Sequence, residues 1–238
     1  MPPLQPATLA RLDNIIWHAL NGPHRSFGHF IGDLGWYARD VAPFIAIRAA
    51  ECPPELPAAA ASGFRGEAYF VGVIPGSLPE GWCFSSRSVI VQMLPPPVPA
   101  APVDETGIRL LGVADRPGML ALTRAAFPDY FRERTADLGT YLGIFSGAQL
   151  VAMAGERLAL DGWQEISGVC THPAFMGRGY ARRLTQALMH RHRHRGVQSF
   201  LHVSEANLAA RRLYESMGFV ARASLALAKI GRASPRGH

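Results

Sequence analysis

Apolar residues in the second half of the chain form short runs separated by turns that contain glycine. Two of these turns, Ser146-Gly147 and Asp161-Gly162, are dipeptides typical of tight hairpins, and the second is a preferred type I′ pair. Hairpins join strands that are neighbours in the chain, so the pattern predicts an antiparallel meander. The predicted strands cover residues 108–113, 140–145, 149–160 and 163–171, and a helix is predicted at 115–127.

After Gly179 the spacing of the apolar residues changes to that of a helix. Apolar residues share one face of a helix that runs to about residue 194, namely Tyr180, Ala181, Leu184, Ala187 and Leu188. A strand at 199–205, a helix at 207–217 and a last strand at 220–230 complete the pattern. The order of these elements predicts the α+β class, with helices laid against one mixed sheet.

The first half carries weaker patterns and no catalytic motif. It predicts a helix at 7–20 and strands at 42–49, 67–74 and 88–94. The stretch LPPPVPAAPVDE is too rich in proline and alanine to continue a helix or a central strand, which predicts a stiff linker. The expected domains are a smaller α/β domain at 1–93, the linker at 94–105, a second domain at 106–231 and a flexible tail at 232–238.

Composition and charge indicate a globular protein with an anionic partner. The chain has 238 residues, 48% of them hydrophobic, which is enough for a sizeable core. Residues 1–103 carry 6 Arg and 7 acidic residues, a sum of −1, whereas residues 104–238 carry 18 basic and 11 acidic residues, a sum of +7. Three widely spaced cysteines and the lack of a signal sequence or a long apolar segment predict a cytoplasmic protein.

A turn with two glycines precedes the helix that starts near residue 180. Gly177, Arg178 and Gly179 stand where unpaired N–H groups and the positive end of the helix dipole can bind an anion. A third glycine of the dinucleotide-binding type would fall at Arg182, and no Gly-Lys-Ser/Thr follows, so two familiar phosphate motifs are excluded. The turn alone leaves open a phosphate cradle or a plain strand-to-helix connection.

A second motif narrows these alternatives. NLAARRLYESMGF, residues 207–219, places Tyr214 on the buried face of a helix that ends at Gly218. With SGVCTHPAFMGRGYARRL at 167–184, it resembles the GCN5-related N-acetyltransferase (GNAT) superfamily over about residues 106–231. Residues 152–184 are most similar to its bacterial, FR47-like branch, which resembles the C-terminal part of glycine N-acyltransferases. The resemblance implies a mostly antiparallel sheet flanked by helices, acetyl-coenzyme A as co-substrate and no metal; residues 1–93 could be a degenerate half of such a domain.

The same resemblance assigns the cofactor-binding residues by position. The pyrophosphate of acetyl-coenzyme A would be held by Gly177, Arg178, Gly179, Tyr180 and Ala181. The pantetheine arm and the thioester carbonyl would meet the strand end formed by Val169, Cys170 and Thr171, and Asn207 would contact the same arm. Met176 stands where the family has Gln or Arg, which predicts weaker or differently supported binding.

Two residues are candidates for catalysis. Tyr214 would lie near the sulfur and protonate the departing thiolate as the general acid. Glu165 has the spacing to the glycine turn of a glutamate that deprotonates the amine in the histone acetyltransferase branch. A nearby apolar pocket would raise the pKa of this carboxyl group. The alternatives are a core tyrosine, an exposed strand glutamate, and a water chain as the base.

Other residues that carry chemistry have plainer interpretations. His190 and His194 share a helical face, but no third ligand faces them, so a solvated helix end is favoured over a metal site. Cys170 lies in an apolar strand, which favours packing over a role as nucleophile. Tyr130 and Phe131 follow the first helix of the second domain, where they shape the acceptor pocket or anchor a loop.

The function expected from these residues is N-acetyl transfer from acetyl-coenzyme A. The acceptor would be a primary amine of a small molecule or amino acid, attacking directly in a ternary complex. The alternatives are a glycine-type N-acyltransferase with another acyl-coenzyme A, and a catalytically idle coenzyme A-binding regulatory module. Nucleic acid is disfavoured because no aromatic residues are interleaved with the arginines. A membrane partner is not expected, and a homodimer is left open.

Overall fold

A computed structural model describes residues 6–64, 66–96, 104–126 and 130–233. The helices are α1 (Pro6–Arg11), α2 (Ile15–Leu20), α3 (Leu56–Ala61), α4 (Arg116–Ala126), α5 (Tyr180–His194) and α6 (Leu208–Ser216). The strands are β1 (Gly28–Ile31), β2 (Leu34–Tyr37), β3 (Ile45–Ile47), β4 (Ala68–Val71), β5 (Trp82–Leu94), β6 (Ile108–Leu110), β7 (Tyr141–Ser146), β8 (Gln149–Leu160), β9 (Trp163–Thr171), β10 (Gln198–Ser204) and β11 (Val220–Arg232).

The described residues form two compact units. Unit 1 contains the residues up to 39, residues 43–90 and those from 223 onward, whereas unit 2 contains residues 40–42 and 91–222. These units differ from the predicted division in three places, because residues 40–42 and 91–93 belong to unit 2 and most of the last strand, from residue 223 onward, belongs to unit 1. Most of the predicted linker, residues 97–103, and residues 234–238 of the predicted tail lie outside the described residues. The assignment of domains stays a prediction.

Unit 2 contains the predicted meander. Strands β6, β7, β8 and β9 are antiparallel neighbours in chain order. The last two turns contain Gly147 and Gly162, with φ of +58° and +78°, as tight hairpins of these dipeptides require. Strand β10 pairs with β9 in parallel, and β5 lies beside β10. The predicted α+β class, with a mixed, mostly antiparallel sheet, is confirmed.

Helices α5 and α6 bury the faces that their periodicity predicts. Leu184, Ala187 and Leu188 of α5 are fully buried, and Tyr214 of α6 is 7% exposed. All four belong to one hydrophobic cluster with strand residues of unit 2. Because burying a leucine side chain contributes about 1.5–3 kcal/mol, this cluster fixes both helices on the sheet.

Unit 1 holds the antiparallel sheet β1-β2-β3 and the antiparallel pair of β4 with β11. The helix predicted at 7–20 is interrupted at Asn14, where the backbone leaves the helical region (φ −124°, ψ 54°). The side-chain amide of Asn14 donates instead to the carbonyls of Ile47 and Arg48, at 2.8 and 3.1 Å. A tertiary contact therefore overrides the local helical pattern.

Three short elements of unit 1 have no counterpart in the sequence prediction: β1, β2 and α3. The two strands have four residues each, contain glycine and join at Gly32, whose φ is +52°. All four residues of β2 are buried, so its sequence lacks the alternation that marks a half-exposed strand. The predicted strands 42–49 and 67–74 shorten to β3 and β4.

Gly155 of β8 lies directly under the ring of Tyr141 of β7. A Cβ on Gly155 would lie 2.2 Å from two carbon atoms of that ring. We expect Gly155→Ala to displace the ring and to lower the free energy of unfolding by about 1–3 kcal/mol, measured by urea denaturation. The control is Gly118→Ala in α4, where the new Cβ would meet its nearest atom at an ordinary 3.6 Å. Equal stabilities of the two variants would contradict the packing argument.

Candidate active site

The two glycines of the predicted cradle, residues 177–181, both adopt backbone conformations that suit glycine. Gly177 and Gly179 have φ of +75°, in the left-handed region where a side chain is strained. A Cβ at either position would meet nothing within 4 Å. Gly179 is the N-cap of α5, where the N–H groups of the first turn lack helical partners. The turn therefore combines unpaired N–H groups with room for an anion.

Arg178 is the arginine of this turn best placed for a phosphate. Its guanidinium lies 4.8 Å from the ring centroid of Phe175, and no ion pair engages it within the ranges that the structure describes. The next two arginines are already engaged, since Arg182 donates a hydrogen bond of 2.6 Å to α6 and Arg183 pairs with Asp104 at 3.3 Å. A fixed positive charge thus stands beside the open glycines.

The other predicted members of this group lie in the same turn. Met176 is 67% exposed, so its side chain adds no polar contact to the cradle. Tyr180 and Ala181 begin α5 and are half-buried, and Tyr180 packs against the core of unit 2. The structure therefore brings residues 176–181 together, while their binding of a coenzyme stays a prediction.

Strand β9 is irregular where the sequence predicts the thioester-facing segment. Met153 of β8 lies opposite Cys170, but Gly155 lies opposite Ser167, so β9 has one extra residue between these two pairs. Such a bulge bends a strand and turns its backbone groups away from the ladder. Gly168, inside the bulge, has a φ of +61°, which a glycine adopts without strain.

Beyond the bulge, β9 leaves its other neighbour. The parallel ladder joins residues 163–166 of β9 to residues 198–201 of β10, and it goes no further in the part of the chain that the structure describes. Backbone groups of residues 167–171 on the β10 side are therefore available to a ligand. The three residues predicted to meet the pantetheine arm belong to this segment: Val169, Cys170 and Thr171.

Tyr214 is buried, as its helix predicts. Its ring lies 5.8 Å from that of Phe219. Burial raises the pKa of the Tyr214 hydroxyl well above its usual value, and the Cys170 thiol adds to the shift. Burial also raises the pKa of Cys170 to about 12, so this thiol is a poor nucleophile and its expected packing role is confirmed. At neutral pH Tyr214 is in its proton-donating form.

Asn207 is the N-cap of α6. Its side-chain oxygen accepts a hydrogen bond of 3.1 Å from the N–H of Ala210. Because this oxygen already accepts the N–H of Ala210, the side-chain NH₂ group of Asn207 is the part that can donate to a cofactor. The predicted contact with the pantetheine arm stays a prediction.

Glu165 does not have the environment that the sequence predicts. It is completely buried, and it accepts two hydrogen bonds from Arg157 at 2.8 and 2.9 Å and one from the N–H of Leu158 at 3.2 Å. Burial alone would raise its pKa, but the charge and hydrogen bonds of Arg157, helped by His202, outweigh burial and hold the pKa at about 2. The prediction of a raised pKa for Glu165 is wrong, because the carboxylate contacts the positively charged Arg157 and not the apolar side chains that the sequence suggested.

Glu165 belongs to a row of polar side chains that the sequence did not reveal. His202 of β10 contacts Glu165 through Nδ1 at 2.8 Å, and its Nε2 lies 2.9 Å from the amide nitrogen of Gln92 on β5. Gln92 in turn accepts a hydrogen bond from Arg222 at 2.5 Å. With the Gln92 nitrogen as donor, His202 carries its proton on Nδ1 and donates to Glu165. No local pattern marks these residues, because strand pairing alone makes them neighbours.

The histidine-rich end of α5 differs from its prediction at one residue. His192 is completely buried, contacting Ser199 at 2.8 Å and Glu156 at 3.1 Å, so a solvated helix end is wrong there. The Nε2 atoms of His190 and His194 lie 3.0 Å apart. Within the described ranges, no three His, Cys, Asp or Glu residues are grouped to hold a metal ion, and no helix is long and apolar enough to cross a membrane.

Comparisons with known proteins identify the same fold. The family profile for FR47-like protein matches residues 141–226. A solved structure assigned to the GNAT family of acetyltransferases, from Novosphingobium aromaticivorans DSM 12444, is 32% identical, with a TM-score of 0.83 over 94% of this chain and 99% of its own. A GCN5-related N-acetyltransferase from Kribbella flavida is 20% identical, with a TM-score of 0.62 over 96% of each chain, and shows the fold alone. No curated protein matches the chain.

Fold and site together define the class, which is a protein built like the N-acetyltransferases, with two open glycines at a helix start beside an opened strand end. The identity of 32% over nearly the whole length shows the family. The chain belongs to the GCN5-related N-acetyltransferase family, as the resemblance predicted.

Proposed function

We propose that the protein transfers the acetyl group of acetyl-coenzyme A to a primary amine of a small molecule or amino acid. The observation that carries this proposal is the pairing of two features: open glycine N–H groups at the start of α5, and the unpaired edge of β9, which ends six residues before the first of these glycines. The first suits a pyrophosphate and the second an extended amide-containing arm. A molecule that contains both groups fits both features.

The chain's own groups supply binding and orientation. N–H groups of residues 177–181 hold the pyrophosphate, and Arg178 adds a positive charge. The edge of residues 167–171 pairs with the arm and directs backbone N–H groups at the thioester oxygen, where negative charge develops in the transition state. When bound, acetyl-coenzyme A supplies an activated acyl group. The amine nitrogen forms the new C–N bond as the C–S bond breaks.

Tyr214 then returns a proton to the departing sulfur. A phenol with a raised pKa keeps its proton until the sulfur gains charge. Burial raises the pKa of a thiol as well, as Cys170 at about 12 shows, so burial by itself does not disfavour the transfer from phenol to thiolate.

The proton of the attacking amine is better carried away through a chain of waters than taken up directly by Glu165, whose oxygens are already engaged. A carboxylate whose pKa is about 2 is ionised but is a weak base. Its oxygens are occupied by Arg157, Leu158 and His202. We therefore favour the water chain as the base, with Glu165 as a positioning residue that fixes Arg157 and His202.

Thermal shift tests the cradle. Acetyl-coenzyme A and coenzyme A are expected to raise the Tm of the protein by mass action, while ATP is not. Gly179→Ala places a Cβ in the open space and forces a side chain into the left-handed region, so we expect it to reduce the shift and raise the KM for acetyl-coenzyme A by about tenfold or more. The readouts are the ligand-induced Tm shift and the release of free thiol across a panel of amines.

The matched control is Gly147→Ala. Gly147 also has a positive φ, +58°, and open space before it, but it lies in the hairpin between β7 and β8. This variant should lower the Tm and keep the full response to acetyl-coenzyme A. An equal loss of the Tm response in both variants, or no Tm response in the unmodified protein, would contradict coenzyme binding by residues 177–181. Binding of the coenzyme without release of thiol for any amine would favour the catalytically idle regulatory module. Faster release of thiol from a longer acyl-coenzyme A than from acetyl-coenzyme A would favour the glycine-type N-acyltransferase.

A further inference from the structure

Tyr141 of β7 carries a buried hydroxyl that no residue in the described ranges satisfies. Its side chain is 2% exposed, and the oxygen is fully buried without a hydrogen-bond partner. A phenylalanine would fill the same space without the cost of an unsatisfied hydroxyl. The hydroxyl therefore needs an explanation outside the folding of the chain.

Because Gly155 and Gly168 on the neighbouring strands have no side chains, the Tyr141 ring can lie across β8 with its hydroxyl beside the bulge of β9. Tyr141 pairs with Gly155 of β8, and Gly155 pairs with Ser167 of β9. The ring crosses β8 over Gly155, where a Cβ would lie 2.2 Å from it, and reaches Gly168, whose Cβ would lie 3.8 Å from the hydroxyl oxygen. Gly168 is half-buried, so the β9 backbone beside the hydroxyl is partly open to solvent.

The side chains that pack with the Tyr141 ring are mostly apolar. The Phe131 ring lies edge-on to Tyr141 at 5.6 Å, and a Cβ on Gly168 would lie 3.8 Å from the methyl carbon of Met153. The side chains that form this cluster with Tyr141 include Met119, Leu122, Phe131, Met153 and Cys170.

The charged groups that act on the Tyr141 hydroxyl are Arg157, Glu165 and Glu156. Arg157 and Glu165 neutralise each other through two hydrogen bonds. Glu156 is held by Arg195 at 2.7 Å. Each carboxylate near the hydroxyl thus has its own arginine, so among the described residues these two arginines are already engaged by carboxylates of the protein.

We propose that the Tyr141 hydroxyl binds the reacting amine of the acceptor, and that the acceptor is an amine with an apolar body and no carboxylate beside the amine. This inference rests on the proposed function. The oxygen of Tyr141 accepts one N–H of the neutral amine, which leaves the nitrogen lone pair free to face the thioester carbon beside the bulge. Tyr141 is then a specificity-determining residue of the same reaction.

Tyr141→Phe tests the hydroxyl, because it keeps the ring and the packing over Gly155. We expect a Tm equal to or above that of the unmodified protein, a KM for the amine raised by about threefold to tenfold, and an unchanged KM for acetyl-coenzyme A. The control is Tyr37→Phe in unit 1, which removes a buried hydroxyl that lies 2.8 Å from His24. It should lower the Tm and leave both KM values unchanged.

Matched pairs of acceptors test the apolar body. Phenethylamine and n-butylamine are the decarboxylated forms of phenylalanine and norvaline. We expect each amine to have a kcat/KM at least tenfold above that of its amino acid. Calorimetry with the coenzyme A-loaded protein and phenethylamine adds a readout without turnover, in which Tyr141→Phe should weaken binding by the same factor as it raises the KM.

The outcomes separate the two proposals. If the unmodified protein binds no coenzyme and releases no thiol with any amine, the proposed function fails and this inference fails with it. If it acetylates amines while Tyr141→Phe keeps the original KM and affinity, or if the amino acids are the better acceptors, only this inference is overturned.

Discussion

Tyr214→Phe is expected to lower kcat by about 10²- to 10⁴-fold, the range that a positioned general acid contributes. The ring remains, so its packing against Phe219 and the surrounding cluster is kept. Only the proton for the departing thiolate is lost, and this proton is needed in the transition state and not in the bound state. The KM for acetyl-coenzyme A should therefore change little. Initial rates of thiol release on the best amine of the panel give both constants.

The control for this variant is Tyr69→Phe in unit 1. Both tyrosines are 7% exposed, so both variants alter a side chain that is largely buried. Tyr69→Phe should keep the kcat of the unmodified protein. A Tyr214→Phe enzyme that turns over at the unmodified rate would show that the thiolate leaves unprotonated or takes its proton from water, and Tyr214 would then be a core tyrosine.

The parts of this molecule that the sequence predicts correctly are those that depend on local chemistry. The dipeptides at 146–147 and 161–162 can form tight hairpins with little help from distant residues, so the meander follows from them. Gly177 and Gly179 stand between a strand and an amphipathic helix, and the turn with positive φ at both glycines follows from that position, while its binding of an anion stays a prediction. The inward face of Tyr214 follows from helical spacing alone.

The environment of Glu165 shows where such inference fails. Its partners Arg157 and His202 belong to other strands, and the register of those strands decides whether a cation or an apolar wall meets the carboxylate. Gln92 is more distant still, since β5 comes before the meander in the chain but lies beside β10 in the sheet. Hydrophobic periodicity carries no information on such pairings. The interruption at Asn14 has the same origin, a contact with a strand over thirty residues away.

Glu165→Gln is expected to lower the free energy of unfolding by about 3 kcal/mol, because it leaves Arg157 buried without its counter-charge. The side chains of Arg157 and Glu165 are 15% and 1% exposed, so water can screen little of this charge. The double variant Arg157→Met with Glu165→Gln removes the uncompensated cation, and it should recover a large part of the loss. Urea denaturation at pH 7 measures all three proteins.

The pH dependence of stability and of rate separates the structural role of Glu165 from a role as base. The folded pKa of about 2 lies below the unfolded value of 4.5, so the ion pair stabilises the fold fully above pH 4.5 and this contribution is lost as the pH falls towards 2. Glu165→Gln should flatten stability over that window. Because the carboxylate stays ionised from pH 5 to 8, the ratio of the unmodified to the variant kcat should be constant there. A loss of kcat in the variant that grows as the pH falls would instead restore Glu165 as the general base.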